Sequence, residues 1–169
     1  MIAFVAYRLQ EEPSARRFFQ LDEVQSSAAP LLNFCETDMR IFKAFSIEAA
    51  HYLPNLPEEH KCRRLHGHSF RVEIHLSGDI GAGSGWVVDF AFIKEAFRPL
   101  YQQLDHRCLN DVAGLENPTS ENIARWIWER LAPSLPGLCR IVVQETASAG
   151  CVYDGPGGEG GGAGVADAS

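Results

Sequence analysis

His66-Gly67-His68-Ser69-Phe70-Arg71-Val72-Glu73-Ile74-His75-Leu76 alternates strictly in polarity. Phe70, Val72, Ile74 and Leu76 share one side, and Ser69, Arg71, Glu73 and His75 share the other. That period of two belongs to a half-buried strand. Residues 41–51 alternate in the same way, with Phe45, Ile47, Ala49 and His51 in phase. The two stretches predict a pair of strands whose apolar faces point to one core and whose ends carry histidine.

Outward from this pair, residues 78–85 are rich in turn formers, and residues 86–90 read as a further short strand. Helical spacing follows. Phe90, Ile93, Phe97, Leu100 and Leu104 recur at steps of three and four, with Pro99 expected to kink this helix or mark its last straight turn. A second stripe, Ile123, Ile127 and Leu131, predicts a helix over about 119–131, with Asn117-Pro118-Thr119 supplying cap and first-turn residues and Glu121 favoured by the helix dipole. Residues 138–146 alternate again, placing Ile141, Val143 and Glu145 on one face, and residues 151–153 read as a last strand. The order β-β-α-α-β-β predicts an α+β domain, an antiparallel sheet with two helices on one face.

Residues 39–154 hold this pattern. Residues 1–38 show no sustained period and are expected to be an extension outside the fold, and residues 155–169 form a Gly-rich stretch expected to be a flexible tail. The whole chain of 169 residues carries a net charge of −7, a poor balance for general nucleic-acid binding. No apolar run approaches the length of a membrane span, and the N-terminus lacks the basic region of a signal peptide. Five scattered cysteines (35, 62, 108, 139 and 151) argue against a disulfide framework and for a reducing, cytoplasmic setting.

The chemistry concentrates in Cys62-Arg63-Arg64-Leu65-His66-Gly67-His68. His66 and His68 are two apart on a strand, so both imidazoles point to one side, and His51 ends the matching face of its own strand. Three neutral imidazoles that converge leave an open position on a bound metal, as in catalytic zinc sites, whereas isolated histidines would be ordinary core or surface residues. Gly67 would let backbone and ligand approach closely. Cys62, flanked by Lys61, Arg63 and Arg64, has the cationic surroundings that favour a thiolate; it could equally be a fourth metal ligand or idle. The same basic run could hold phosphate. Asp105-His106 is a carboxylate beside an imidazole, the makings of a proton shuttle, although neighbours on a regular strand cannot easily bond side chain to side chain. Glu145 lies in phase with the core and needs a partner there: the paired N–H donors of a pterin or guanine edge, or an arginine. His75, on the polar face, is expected to be solvated, and His60 has no evident partner.

These motifs together resemble the 6-pyruvoyl-tetrahydropterin synthase superfamily, and most closely its bacterial 6-carboxy-5,6,7,8-tetrahydropterin synthase branch. The resemblance runs in order through Phe45 to His51, Cys62 to His68, Gly85-Trp86-Val87-Val88-Asp89-Phe90, Leu104-Asp105-His106, Leu109-Asn110-Asp111, Glu116-Asn117-Pro118-Thr119-Ser120-Glu121 and Glu145-Thr146. It implies a tunnelling fold, a four-stranded antiparallel sheet with two helices, assembled into a homo-oligomer, commonly a hexamer, with active sites at subunit interfaces. It implies zinc held by His51, His66 and His68, Cys62 as the catalytic thiol, Asp105 and His106 as a proton relay, and Glu145 as the anchor of the pterin ring. Three residues separate Cys62 from His66, where the pyruvoyl-forming synthases of biopterin synthesis carry a longer spacer. The implied substrate is 7,8-dihydroneopterin 3′-triphosphate and the implied product 6-carboxytetrahydropterin, a precursor of 7-deazaguanines such as queuosine. The rival readings are the pyruvoyl-forming reaction and a non-catalytic, zinc-stabilised binding module.

Overall fold

A computed structural model describes residues 39–157. The expected extension over 1–38 and most of the Gly-rich tail lie outside the described residues.

Strand β1 (Met39–His51) and strand β2 (His66–Gly78) pair antiparallel along their full lengths, with Met39 opposite Gly78 and His51 opposite His66. Helix α1 (Phe90–Leu104) leads to a two-residue strand β3 (Arg107–Cys108), and helix α2 (Ser120–Leu131) leads to the hairpin of β4 (Leu138–Thr146) and β5 (Ala149–Tyr153). The sheet order is β3-β1-β2-β4-β5. The expected four strands are thus joined by a fifth: Arg107 and Cys108 add to β1 in parallel, opposite Ala49 and Ala50. No hydrophobic alternation can announce a strand of two residues.

Alternation placed the core correctly. Ile47, Phe70, Val72, Ile74, Leu76, Ile141 and Val143 from one sheet face form a single buried cluster with Ile93, Phe97, Leu100 and Leu104 of α1 and Ile123, Ile127 and Leu131 of α2. Both helices therefore cover the same face. One local expectation is corrected. Residues 86–90 do not form a strand: the chain bends through Trp86–Asp89, the Asp89 carboxylate accepts the Ala91 N–H at 2.8 Å, and α1 begins at Phe90. The cap supplies the helix start that short-range apolar content had hidden. Pro99 lies inside α1, which continues to Leu104 and still buries Leu100 and Leu104. Thr119 caps α2, as Asn117-Pro118-Thr119 suggested, by accepting the Asn122 N–H. Among the described residues, no helix is long and apolar enough to cross a membrane.

Candidate active site

The three in-phase histidines meet. Their register explains it: His51 sits opposite His66, and His68 opposite Ala49, all on the core face at one end of the strand pair. Ring centroids are 4.5 Å apart for His51 and His66, 5.1 Å for His51 and His68, and 5.0 Å for His66 and His68. Phe70 packs edge-on against His51 and closes the floor.

Backbone carbonyls set the ring orientations. His51 Nδ1 donates to Pro118 O at 2.9 Å and His66 Nδ1 to Arg64 O at 2.7 Å. Each Nδ1 therefore carries the hydrogen, and each Nε2 presents a lone pair. Burial pushes the pKa of His51 down, aided by its histidine neighbours and opposed by the Pro118 bond and Glu145, so its ring stays neutral. The Nε2 atoms of His51, His66 and His68 are buried and have no hydrogen-bond partner. Three orphaned acceptors beside one another are costly unless something electrophilic lies between them. A metal ion meets that need, and the carbonyl bonds behind the rings are the outer support that metal-binding histidines use.

Glu145 joins this group. Its Oε1 lies 2.9 Å from His68 Nε2 and 3.6 Å from His51 Nε2, while its Oε2 accepts the Ser120 hydroxyl at 3.2 Å. The 2.9 Å contact coexists with an unsatisfied His68 Nε2. We read it as two ligand atoms aimed at one point rather than as a hydrogen bond. One ligand atom from each of His51, His66, His68 and Glu145 lies within 4.8 Å of all the others. The carboxylate needed a partner, as its phase implied: the Ser120 hydroxyl donates to it, and among the described residues no arginine pairs with it.

Asp105 and His106 are bonded to each other despite being adjacent. Asp105 caps α1, and His106 then adopts φ 57°, a left-handed turn that swings its ring back so that Nδ1 meets Asp105 Oδ2 at 2.8 Å. The pair is locked onto β1: Glu48 N–H donates to Asp105 Oδ1 at 3.0 Å, and His106 N–H to Glu48 O at 2.6 Å. Burial alone would raise the Asp105 carboxyl, but the Glu48 N–H, His106 and the Tyr101 hydroxyl more than offset it, leaving the pKa below its ordinary value. Burial and the same contact with Asp105 push Tyr101 up.

His106 of the dyad lines a cavity that His68 of the histidine cluster also reaches. Glu48 and Ser69 are a cross-strand pair out of phase with the core, bonded to each other at 2.7 Å. Together with Ala49, Ala50, Gly67, His68, His106 and Arg107 they line this cavity of about 450 Å³. Gly67 alternates away from the imidazoles and, without a side chain, leaves room in this cavity.

Cys62 sits in a single 3-10 turn, Lys61–Arg63, in the connection between β1 and β2, as a half-buried free thiol. The flanking Arg63 directs Nη1 to the carbonyls of Pro54 and Leu56 at 2.7 and 2.5 Å, so it braces the loop. His75 is only partly solvated: it stacks on Phe42 at 5.1 Å and bonds Glu73 at 3.0 Å. Sequence reasoning missed Ser120, Tyr101, Glu48 and the carbonyls of Pro118 and Arg64, together with Asn110, whose amide bonds both backbone groups of Tyr52 just beyond His51. Backbone acceptors leave no trace in residue identity; Ser120 and Tyr101 announce themselves only once their elements are packed.

Residues 40–156 match the family described as 6-pyruvoyl tetrahydropterin synthase. The chain is 47% identical over 122 residues to the 6-carboxy-5,6,7,8-tetrahydropterin synthase of Synechocystis, an alignment covering 69% of this chain and 93% of that relative. It is 40% identical over 98 residues to the dihydroneopterin monophosphate aldolase of Pyrococcus furiosus, covering 58% and 79% respectively. Among solved structures, the 6-pyruvoyl tetrahydropterin synthase of Caenorhabditis elegans superposes with a TM-score of 0.65 at 28% identity, over 70% of this chain and 96% of that one. The fold, the converging histidines and these likenesses agree, and the chain belongs to the 6-pyruvoyl tetrahydropterin synthase family.

Proposed function

We propose that this protein converts 7,8-dihydroneopterin 3′-triphosphate to 6-carboxy-5,6,7,8-tetrahydropterin, releasing acetaldehyde and triphosphate. The observation that carries the reading is the set of three buried, unpartnered Nε2 atoms of His51, His66 and His68, beside a carboxylate and after a cysteine four positions before His66. The tautomers fixed by Pro118 and Arg64 fit these rings to hold zinc. When bound, zinc would supply Lewis acidity toward the side-chain hydroxyls of the substrate and acidify their neighbouring C–H bonds.

The protein's own groups then do the following. Glu145 accepts the paired N–H donors of the pterin edge, and its bond from Ser120 orients the carboxylate for that purpose. Cys62 takes a proton from the substrate side chain. His106, held in one tautomer by Asp105, exchanges protons with the side-chain oxygens, and the depressed Asp105 pKa keeps that carboxylate ionised to stabilise the imidazolium. Two hydrogens pass from the side chain to the ring, triphosphate leaves, and a water-dependent cleavage of the side-chain carbon–carbon bond gives the carboxylate and acetaldehyde. No external reductant enters the balance.

His106 lines a cavity with Glu48, Ser69 and His68, while Asp105 is held by the Glu48 N–H. In this reading the dyad of one active site is drawn from a second copy of the chain, and the working unit is a homo-oligomer, a hexamer, with active sites at subunit interfaces.

Product analysis with 7,8-dihydroneopterin 3′-triphosphate, with and without a chelator, tests the proposal. Acetaldehyde and 6-carboxytetrahydropterin should form in equal amounts, and chelation should abolish both. A pyruvoyl product without acetaldehyde would place the chain with the biopterin-forming synthases. Turnover that survives complete zinc removal would end the metal assignment.

A further inference from the structure

We propose that His60 is a positioning residue for the Cys62 thiol; the inference rests on Cys62 being the proton-transferring thiol proposed above. His60 is the N-cap of the 3-10 turn that carries Cys62, and its Nδ1 accepts the Cys62 N–H at 3.1 Å. A backbone N–H can only donate, so this Nδ1 holds a lone pair and the ring hydrogen sits on Nε2. The Cys62 carbonyl is occupied too, accepting the Leu53 N–H at 2.8 Å. With both backbone groups of Cys62 bonded, the remaining freedom of the thiol is its side-chain torsion.

The segment that supplies His60 is itself fixed. His60 N–H donates to Pro57 O at 3.0 Å, and His60 O accepts from Arg63 N–H at 3.0 Å. Arg63 Nη1 ties the turn back to the carbonyls of Pro54 and Leu56. The residue after it, Arg64, offers its carbonyl to His66 Nδ1 at 2.7 Å. One turn therefore aims both the thiol and a metal-facing imidazole. Short 3-10 segments have poor hydrogen-bond geometry and hold only when their ends are tied. Residues 57–60 are exposed, with no helix or strand of their own to enforce the shape. The ring of His60 is the side chain that closes the turn at its N-terminal end.

The test compares full-length, zinc-loaded wild type with His60→Ala, His60→Asn and Cys62→Ala. It measures kcat, KM, zinc content and the rate at which iodoacetamide alkylates Cys62, followed on the Cys62 peptide by mass spectrometry. Asparagine places an acceptor oxygen where Nδ1 stands and keeps the cap. His60→Ala should lower kcat about tenfold, equivalent to about 1.4 kcal/mol of lost positioning, with KM and zinc unchanged and Cys62 alkylated faster. His60→Asn should restore both kcat and the alkylation rate. Wild-type kcat in His60→Ala, equal damage in the two variants, or a loss that tracks KM or zinc content would overturn the positioning role. Full turnover in Cys62→Ala would instead remove the thiol assignment itself, whatever the His60 variants do.

Discussion

At the scale of single residues, Glu145 is where two roles compete for one carboxylate. Its Oε1 lies among the imidazole nitrogens, and its Oε2 is held by Ser120. Zinc needs only three protein ligands to remain catalytic, and a fourth from the protein would close the site. Glu145→Gln separates the two roles. As a pterin anchor, the glutamine exchanges one acceptor for a donor facing the ring N–H groups, and we expect KM to rise by at least about tenfold, the cost of one mismatched charged hydrogen bond, with zinc content unchanged. Loss of zinc in this variant, measured by elemental analysis, would make Glu145 a ligand and favour a structural metal site. The phase of Glu145 with Ile141 and Val143 made it legible in the sequence as an acid drawn toward the core, and it is half-buried there. Its actual neighbours depended on how β4 and α2 pack.

At the scale of elements, the junction between α2 and β4 is held by one close approach to the end of β2. Gly137 adopts φ 84°, and its carbonyl accepts the Ser77 N–H at 2.8 Å. A Cβ added there would lie 2.5 Å from the Ser77 carbonyl oxygen, a backbone atom without a side chain's freedom to move. The left-handed conformation alone costs a residue with a Cβ about 1–2 kcal/mol. Gly137→Ala should therefore lower the urea midpoint by the equivalent of about 2 kcal/mol or more while leaving the denaturant slope intact. A wild-type midpoint would mean that the loop relaxes freely. The same scale shows what alternation can and cannot reveal. β1, β2 and β4 were legible because each has a long apolar face at period two, and α1 and α2 because each has a buried stripe. β3 was not, since its two residues are held by pairing with Ala49 and Ala50 rather than by burial. Residues 86–90 misled because their apolar content belongs to a bend and a helix start.

At the scale of the whole molecule, the proposed catalytic groups gather at one end of the β1–β2 pair. His51, His66 and His68 continue the core faces of their strands, Asp105 and His106 are pinned by Glu48 of β1, and His68 and His106 line one cavity. The proposed sharing of active sites between copies makes a direct prediction. His106→Ala and Cys62→Ala should each be inactive, yet subunits unfolded together and reassembled should regain activity, because some interfaces then combine an intact dyad with an intact thiol. Size-exclusion chromatography would confirm that the mixture assembles. Hybrids that remain dead would show that each chain completes its own site, and the assignment of the dyad to a neighbouring copy would fall.

The sequence by itself determined the α+β class, the core faces of the long strands and helices, and the phase that three histidines share with those faces. All of these follow from periodicity, a local property that residue order carries directly. Only the tertiary structure decided which lone pairs face one another and which side of the sheet each group serves. Those depend on backbone carbonyls of Pro118 and Arg64, on the left-handed turn at His106 and on the bond from Ser120 to Glu145. Such contacts join residues far apart in the chain, or use groups that every residue shares, so residue identity does not encode them until the elements have packed.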